Sequence, residues 1–101
     1  MLTTKRKPAG IGEILTEEFL MPMGLTQGAL ADAMGVQRKH VNELCNDRRA
    51  VTAPTALILG RVFGNSAEFW LNIQRRVDLW EALNSPRECE RIGRARPLTA
   101  A

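Results

Sequence analysis

The sequence predicts an all-α fold of five helical segments joined by short turns, with a helix-turn-helix made by the second and third and an extension beyond the fifth. Three observations carry this. Apolar residues recur three and four positions apart in each segment, the spacing of a helix face. Ala, Leu, Glu and Arg dominate while β-branched and aromatic runs are sparse, with aromatics at 5% and no Tyr. Between the second and third segments stands Gly35, a residue that takes positive φ without strain, followed by the apolar Val36. At 101 residues the chain has room for one domain and one modest core.

The first segment spans about residues 12–21. Ile11, Ile14, Leu15 and Phe19 share one face, Glu13 and Glu17 lie off it, and Pro22 with Gly24 stop it. Thr26 caps the second segment, which turns Leu30, Ala31 and Met34 inward and ends at Gly35. The third covers about 38–45, with Val41 and Leu44 facing in and Asn46-Asp47 turning after it. The fourth follows Thr52 and tolerates Pro54 in its first turn. Leu57, Ile58, Leu59, Val62 and Phe63 make it read as largely buried. Gly64-Asn65 ends it, and Ser66 caps the fifth, which reaches about Leu83 before Asn84-Ser85-Pro86. Beyond Pro86 the pattern weakens: residues 87–93 fit a further short helix and 94–101 an extended end. The organisation is an N-terminal arm over 1–11, a domain over 12–83 and a C-terminal tail over 84–101.

Composition excludes several functions. With 45% hydrophobic and 25% charged residues the chain is of ordinary soluble type. No run approaches the roughly 18 apolar residues of a membrane span, so no membrane partner is expected. The basic triplet Lys5-Arg6-Lys7 meets Pro8 with no apolar run after it, so it is no signal peptide and reads as a solvated end rather than a DNA-reaching arm. Cys45 and Cys89 lie far apart and there is one histidine, which leaves no metal-ligand cluster, no cofactor site and no disulfide framework, and points to the cytoplasm. A nucleophile–base pair would have to use His40, and nothing around it marks it as a base. It reads as a surface histidine, and neither catalysis nor a small-molecule substrate is expected.

Net charge is a mild +3, but its distribution is uneven. Residues 8–37 contain Glu13, Glu17, Glu18 and Asp32 and no Lys or Arg. Residues 38–49 then carry Arg38, Lys39, Arg48 and Arg49 against Glu43 and Asp47, and the tail carries Arg87, Arg91, Arg94 and Arg96 against Glu88 and Glu90. An acidic face beside a basic one suits two partners of opposite sign.

The second and third segments hold the chemistry. Ala31 is small enough for two helices to cross closely, Gly35 makes the turn, and Val36, Val41 and Leu44 pin the second helix of the pair to the core. Its opposite face is then free for the major groove of DNA. On that face stand Gln37, Arg38, Lys39, Asn42 and Glu43. Arg and Lys suit guanine O6/N7, Asn and Gln suit adenine N6/N7, and Glu accepts from cytosine N4. Gln27, opening the preceding helix, and Arg48 with Arg49, just past the reading helix, are placed for phosphates.

Residues 12–83 resemble the HigA-type antitoxins, a branch of the phage-repressor-like (XRE) helix-turn-helix family. The matching pieces are Gly12-Glu13-Ile14-Leu15, Glu18-Phe19-Leu20, the stretch from Thr26 to Leu44, Asn46-Asp47-Arg48-Arg49, and Thr52 to Gly64. Most specific is Ser66-Ala67-Glu68-Phe69-Trp70-Leu71-Asn72-Ile73-Gln74 with Val77-Asp78-Leu79-Trp80-Glu81-Ala82. The resemblance implies a dimeric antitoxin that represses its own operon and neutralises a HigB/RelE-type mRNA-cleaving toxin. The chain departs from the branch in opening the first helix with Gly10-Ile11-Gly12, where His-Pro-Gly is usual, and in placing Gly28 inside the second helix.

Two partner surfaces follow as expectations. In the fifth segment Phe69, Trp70, Ile73, Val77 and Trp80 form one apolar stripe, while Leu71, Leu79 and Ala82, with Leu83 beside them, face elsewhere. A helix with two apolar faces needs two neighbours: its own core, and either a second chain or the tail folded back through Ile92 and Leu98. Pairing is also expected because a lone helix-turn-helix buries little surface on an operator. A toxin that grips mRNA is basic, so Glu13, Glu17 and Glu18 are the candidate toxin contacts. The rivals are a free-standing regulator of the same family without a toxin, and a protein-interaction module that has lost DNA binding. Arg38, Lys39, Arg48 and Arg49 oppose the second.

Overall fold

The computed structural model describes residues 6–99. Residues 1–5 lie outside them, and with these Lys5 and part of the expected arm. Six helices occur among the described residues, the sixth inside the C-terminal extension.

Helix α1 covers residues 11–23 in three continuous runs: α-helical Ile11–Ile14, a π-helical stretch Leu15–Leu20, and α-helical Met21–Met23. In the wide stretch Met21 N–H reaches back to Thr16 C=O. Pro22 has no N–H to give, and a widened turn ahead of it relieves the clash between its ring and the preceding carbonyls. Of the two expected stops, Pro22 is therefore passed, and Gly24, at φ 62°, ends the helix as expected. The wide turn also changes the buried face. Leu15 and Leu20, five apart, are both buried, while Phe19 is half-buried.

Helix α2, Gln27–Met34, starts where Thr26 Oγ1 accepts from Ala29 N–H at 3.0 Å. It ends at Gly35, φ 71°, where Val36 N–H bonds Ala31 C=O at 3.0 Å. Helix α3, Arg38–Cys45, buries Val41 and Leu44 completely. The helix-turn-helix stands as read.

Helix α4, Ala53–Phe63, is more one-sided than expected. Thr55, Ala56, Leu59 and Gly60 are buried, Ile58, Val62 and Phe63 half-buried, but Leu57 is 65% exposed, one turn from exposed Arg61. Helix α5, Ala67–Leu83, is capped by Ser66 Oγ, which accepts from Phe69 N–H at 3.2 Å. Trp70 and Ile73 are buried in it, and Phe19, Phe63 and Trp70 stack as one aromatic cluster with centroids 4.6–5.8 Å apart. Trp70 Nε1 donates to Asn65 Oδ1 at 2.8 Å, so the buried indole is satisfied. Helix α6, Pro86–Arg94, is capped by Ser85.

No described residue after Ile73 is buried. The end of α5 and all of α6 project from the core formed by the earlier helices. The molecule measures 53 × 24 × 21 Å with a radius of gyration of 16.5 Å, against about 13 Å for a compact chain of this length. Ile92 is half-exposed and Leu98 fully exposed, so the tail does not fold back over α5 through these residues.

Candidate nucleic-acid interface

Two hydrophobic anchors present α3. Val41 and Leu44 face the core, which turns Gln37, Arg38, Lys39 and Asn42 to solvent. Arg38, Lys39 and Arg48 have no ion-pair partner among the described residues, so their charge is available to an anion.

Two pairs are brought together that sequence spacing does not reveal. Asn42 Nδ2 donates to Gln27 Oε1 at 3.1 Å, across the turn between α2 and α3. This leaves Asn42 its carbonyl oxygen and one N–H, the set that matches adenine N6 and N7. Glu43 and Arg49 form the second pair, with Arg49 Nη2 at 3.0 Å and Nε at 3.1 Å from Glu43 Oε1. Glu43 is thus committed to a neighbouring cation and largely withdrawn, with 27% of its side chain exposed. Of the residues expected to read bases, Gln37, Arg38, Lys39 and Asn42 are exposed, and of the two cations expected past α3 only Arg48 lacks an ion-pair partner among the described residues.

His40 is half-buried rather than a surface residue, and its Nε2 has no hydrogen-bond partner among the described residues. Burial, then the Arg49 charge, hold its pKa below 6.5, with Glu43 acting the other way. Burial pushes the Cys45 thiol up, opposed by its hydrogen bond with Thr16 and reinforced by Asp47.

Sequence reasoning missed Asp47 as more than a turn residue. At φ 55° it occupies the left-handed region that Asp tolerates. There its Oδ1 accepts from Gly12 N–H at 2.9 Å, tying the start of α1 to the end of α3. A Cβ on Gly12 would lie 2.3 Å from Cys45 O, so only glycine permits this approach. The Gly10-Ile11-Gly12 opening therefore keeps the one residue the packing demands.

Glu13, Glu17 and Glu18 are all exposed and enter no ion pair among the described residues. Glu13 borders an open groove shared with Asp47, Arg48 and Arg49, while Glu17 and Glu18 lie further along α1 in the π-helical stretch. Lys7 crosses to α5, 3.2 Å from Glu81 Oε1 and 6.0 Å from the Trp80 ring centre. Of the expected pairing residues, Leu79 is 43% exposed, while Leu71, Ala82 and Leu83 are half-buried. Ala82 and Leu83 lie at the α5–α6 joint, where the Cys89 thiol meets Leu83 C=O at 3.0 Å.

No helix among the described residues is long and apolar enough to cross a membrane. The helix-turn-helix family profile matches residues 17–70. Antitoxin HigA-1 of Vibrio cholerae is 52% identical over 88 residues, covering 87% of this chain and 83% of that protein. The Pseudomonas aeruginosa antitoxin HigA, solved with the higBA promoter, superposes with a TM-score of 0.80 at 36% identity over 91% of this chain and 99% of that one. The antitoxin GraA in complex with its operator gives 0.83 at 38% identity over 99% and 100%. The chain belongs to the HigA-type antitoxin family, within the phage-repressor-like helix-turn-helix proteins.

Proposed function

We propose that this protein is a cytoplasmic antitoxin that represses its own operon as a homodimer and neutralises a basic, mRNA-cleaving toxin. The observation that carries the DNA half is the exposed face of α3. Arg38, Lys39 and the Gln27-braced Asn42 stand there together, with unpaired Arg48 beside it. Relatives solved with a promoter or an operator support the same reading. Pairing is supported by exposed Leu79 on a helix whose tail leaves that side open.

The toxin half rests on family and charge. Glu13, Glu17 and Glu18 are exposed and unpaired among the described residues, with no Lys or Arg between residues 8 and 37. Exposed ion pairs are worth only about 0–1 kcal/mol each, so this charge acts mainly on encounter rate.

One experiment tests both halves: co-expression with the adjoining reading frame, purification, and a band shift on the promoter. The expected result is a co-purifying basic partner and a salt-sensitive shift. A shift without a partner supports a free-standing regulator, and a partner without a shift supports an interaction module. Reversing Glu17 and Glu18 to Lys, and leaving Glu13 intact because it borders the groove of Arg48 and Arg49, is expected to slow toxin association at low salt and spare operator binding. Unchanged association by the folded variant would place the contact elsewhere.

A further inference from the structure

Operator reading leaves unused the most distinctive run in the sequence, Phe69-Trp70-Leu71-Asn72-Ile73-Gln74. Trp70 and Ile73 fill the core. Gln74 lies on the flank of α5 beside the loop that joins α3 to α4. Its Oε1 accepts from the backbone N–H of Val51 at 2.9 Å. Its Nε2 donates to Asp78 Oδ1 at 2.9 Å, one turn on. Asp78 thereby sets which end of the carboxamide faces the loop.

We propose that Gln74 is a positioning residue for operator binding: it holds the Arg48–Arg49 loop at the height from which phosphate is gripped. The proposal deepens the operator-binding reading and rests on it.

The loop has no regular structure from residue 48 to 52, so its position depends on its anchors. At one end Arg48 N–H bonds Glu43 C=O at 2.8 Å, and Asp47 is tied to Gly12. At the other end the tie is Gln74. Val51 is only 5% exposed. Without the Gln74 acceptor its N–H is a buried, unmet donor, and the loop must shift to find water. Arg48 and Arg49 lie between the two anchors and move with it. A hydrogen bond weakens steeply once its length or angle is lost, so a small shift is enough to release a phosphate.

The residue type fits this task. The site needs an acceptor toward Val51 N–H and a donor toward Asp78, which a carboxamide supplies from one carbon. Glutamate keeps the acceptor but sets like charge against Asp78, and methionine keeps the length and loses both. Gln74 also joins the loop to the outer side of α5. Val51, Leu71, Gln74 and Leu79 line one shallow hollow of about 460 Å³. The helix proposed to pair the chains and the loop proposed to grip DNA thus meet at this side chain.

The test uses the full chain on duplex DNA from upstream of its gene, over a series of salt concentrations. The proteins are wild type, Gln74→Met, Gln74→Glu, Arg48→Ala and the Gln74→Met/Arg48→Ala double variant. Gln74→Met is expected to weaken operator binding about tenfold and to flatten the plot of log affinity against log salt by about one unit per half-site. A residue with a merely structural role would not move that slope. Gln74→Glu, which keeps the acceptor, should hold more affinity than Gln74→Met. The double variant should lose no more than Arg48→Ala alone, because both act through one contact. Additive losses, or an unchanged slope in Gln74→Met, would overturn the proposal. If circular dichroism shows Gln74→Met unfolded, Gln74→Ala decides instead: it removes the acceptor from Val51 without adding a bulky group, and a wild-type slope there overturns the proposal. Wild type failing to bind upstream DNA defeats the operator reading itself, an outcome distinct from wild-type binding with an indifferent Gln74.

Discussion

Gly12 carries the tightest constraint on any single side chain near the site. A Cβ there would meet backbone at Cys45 O, 2.3 Å away, and Asp47 Oδ1 at 3.1 Å. Backbone cannot rotate aside, so α1 must lift from α3. Gly12→Ala is expected to cost about 1–3 kcal/mol, read as a lower urea midpoint. A midpoint equal to wild type would show that α1 moves freely. His40 sets an acid sensitivity. Its folded pKa lies below the 6.5 of the free side chain, first through burial and then through Arg49. The unfolded chain therefore takes up the proton first. The stability at stake is fully present above about pH 6.5 and is lost as pH falls through the folded value. His40→Gln should lose less melting temperature than wild type between about pH 7 and pH 5. Equal losses would assign the acid sensitivity to other groups.

Among the elements, α2 and α3 combine a packed inner face with an exposed one that is proposed to read DNA. Gly28 lies in the first turn of α2, and a Cβ there would meet only Thr26 Oγ1 at 3.9 Å, an ordinary contact. Gly28→Ala is expected to add about 0.5–1 kcal/mol, because alanine loses less backbone entropy on entering the helix. An unchanged or lower urea midpoint would mean that the turn needs glycine for another reason. On α3, Arg38→Ala and Asn42→Ala should each cost about 1–3 kcal/mol on the operator and blunt discrimination at one or two bases. Arg48→Ala should weaken specific and random DNA alike. The decisive measurement is the ratio of operator to random-DNA affinity. That ratio staying at its wild-type value in Arg38→Ala and Asn42→Ala would move base reading off this face.

For the whole molecule, the governing fact is its length. A 53 Å long axis on a chain whose core ends at Ile73 leaves the far part of α5 and all of α6 with no buried residue among those described and no full second layer. A second copy against α5 would supply that layer and put two α3 helices on one face of DNA. Two inverted half-sites are then expected, their centres about 34 Å or a small multiple apart. Leu79→Glu sets a charge in the proposed contact and should give monomers in sedimentation with a much weaker operator complex. A footprint of one unpaired half-site, or an intact Leu79→Glu dimer, would remove α5 as the pairing element.

Much of this architecture was legible in the sequence, because local rules decide it. Helical spacing placed Val41 and Leu44 inward, Thr26 and Ser66 marked two helix starts, and Gly35 and Gly64 marked two ends. Each of these is a contest within a few neighbouring residues. The exposed face of α3 followed from the same periodicity. Tertiary structure decided the rest, through contacts between residues far apart in the chain. It inserted a π-helical stretch that carried α1 through Pro22 and buried Leu20 beside Leu15. It left Leu57 in solvent, since no layer of described residues covers that side of α4. It paired Glu43 with Arg49 and Asn42 with Gln27, which determines the groups left free for the proposed contacts with bases and phosphates. It set Asp47 on Gly12 and Gln74 on Val51, ties of 35 and 23 positions. Periodicity reports which face of a helix is apolar, because that depends on the helix alone. Which polar side chain meets which depends on how helices cross, and that is settled only when the core closes.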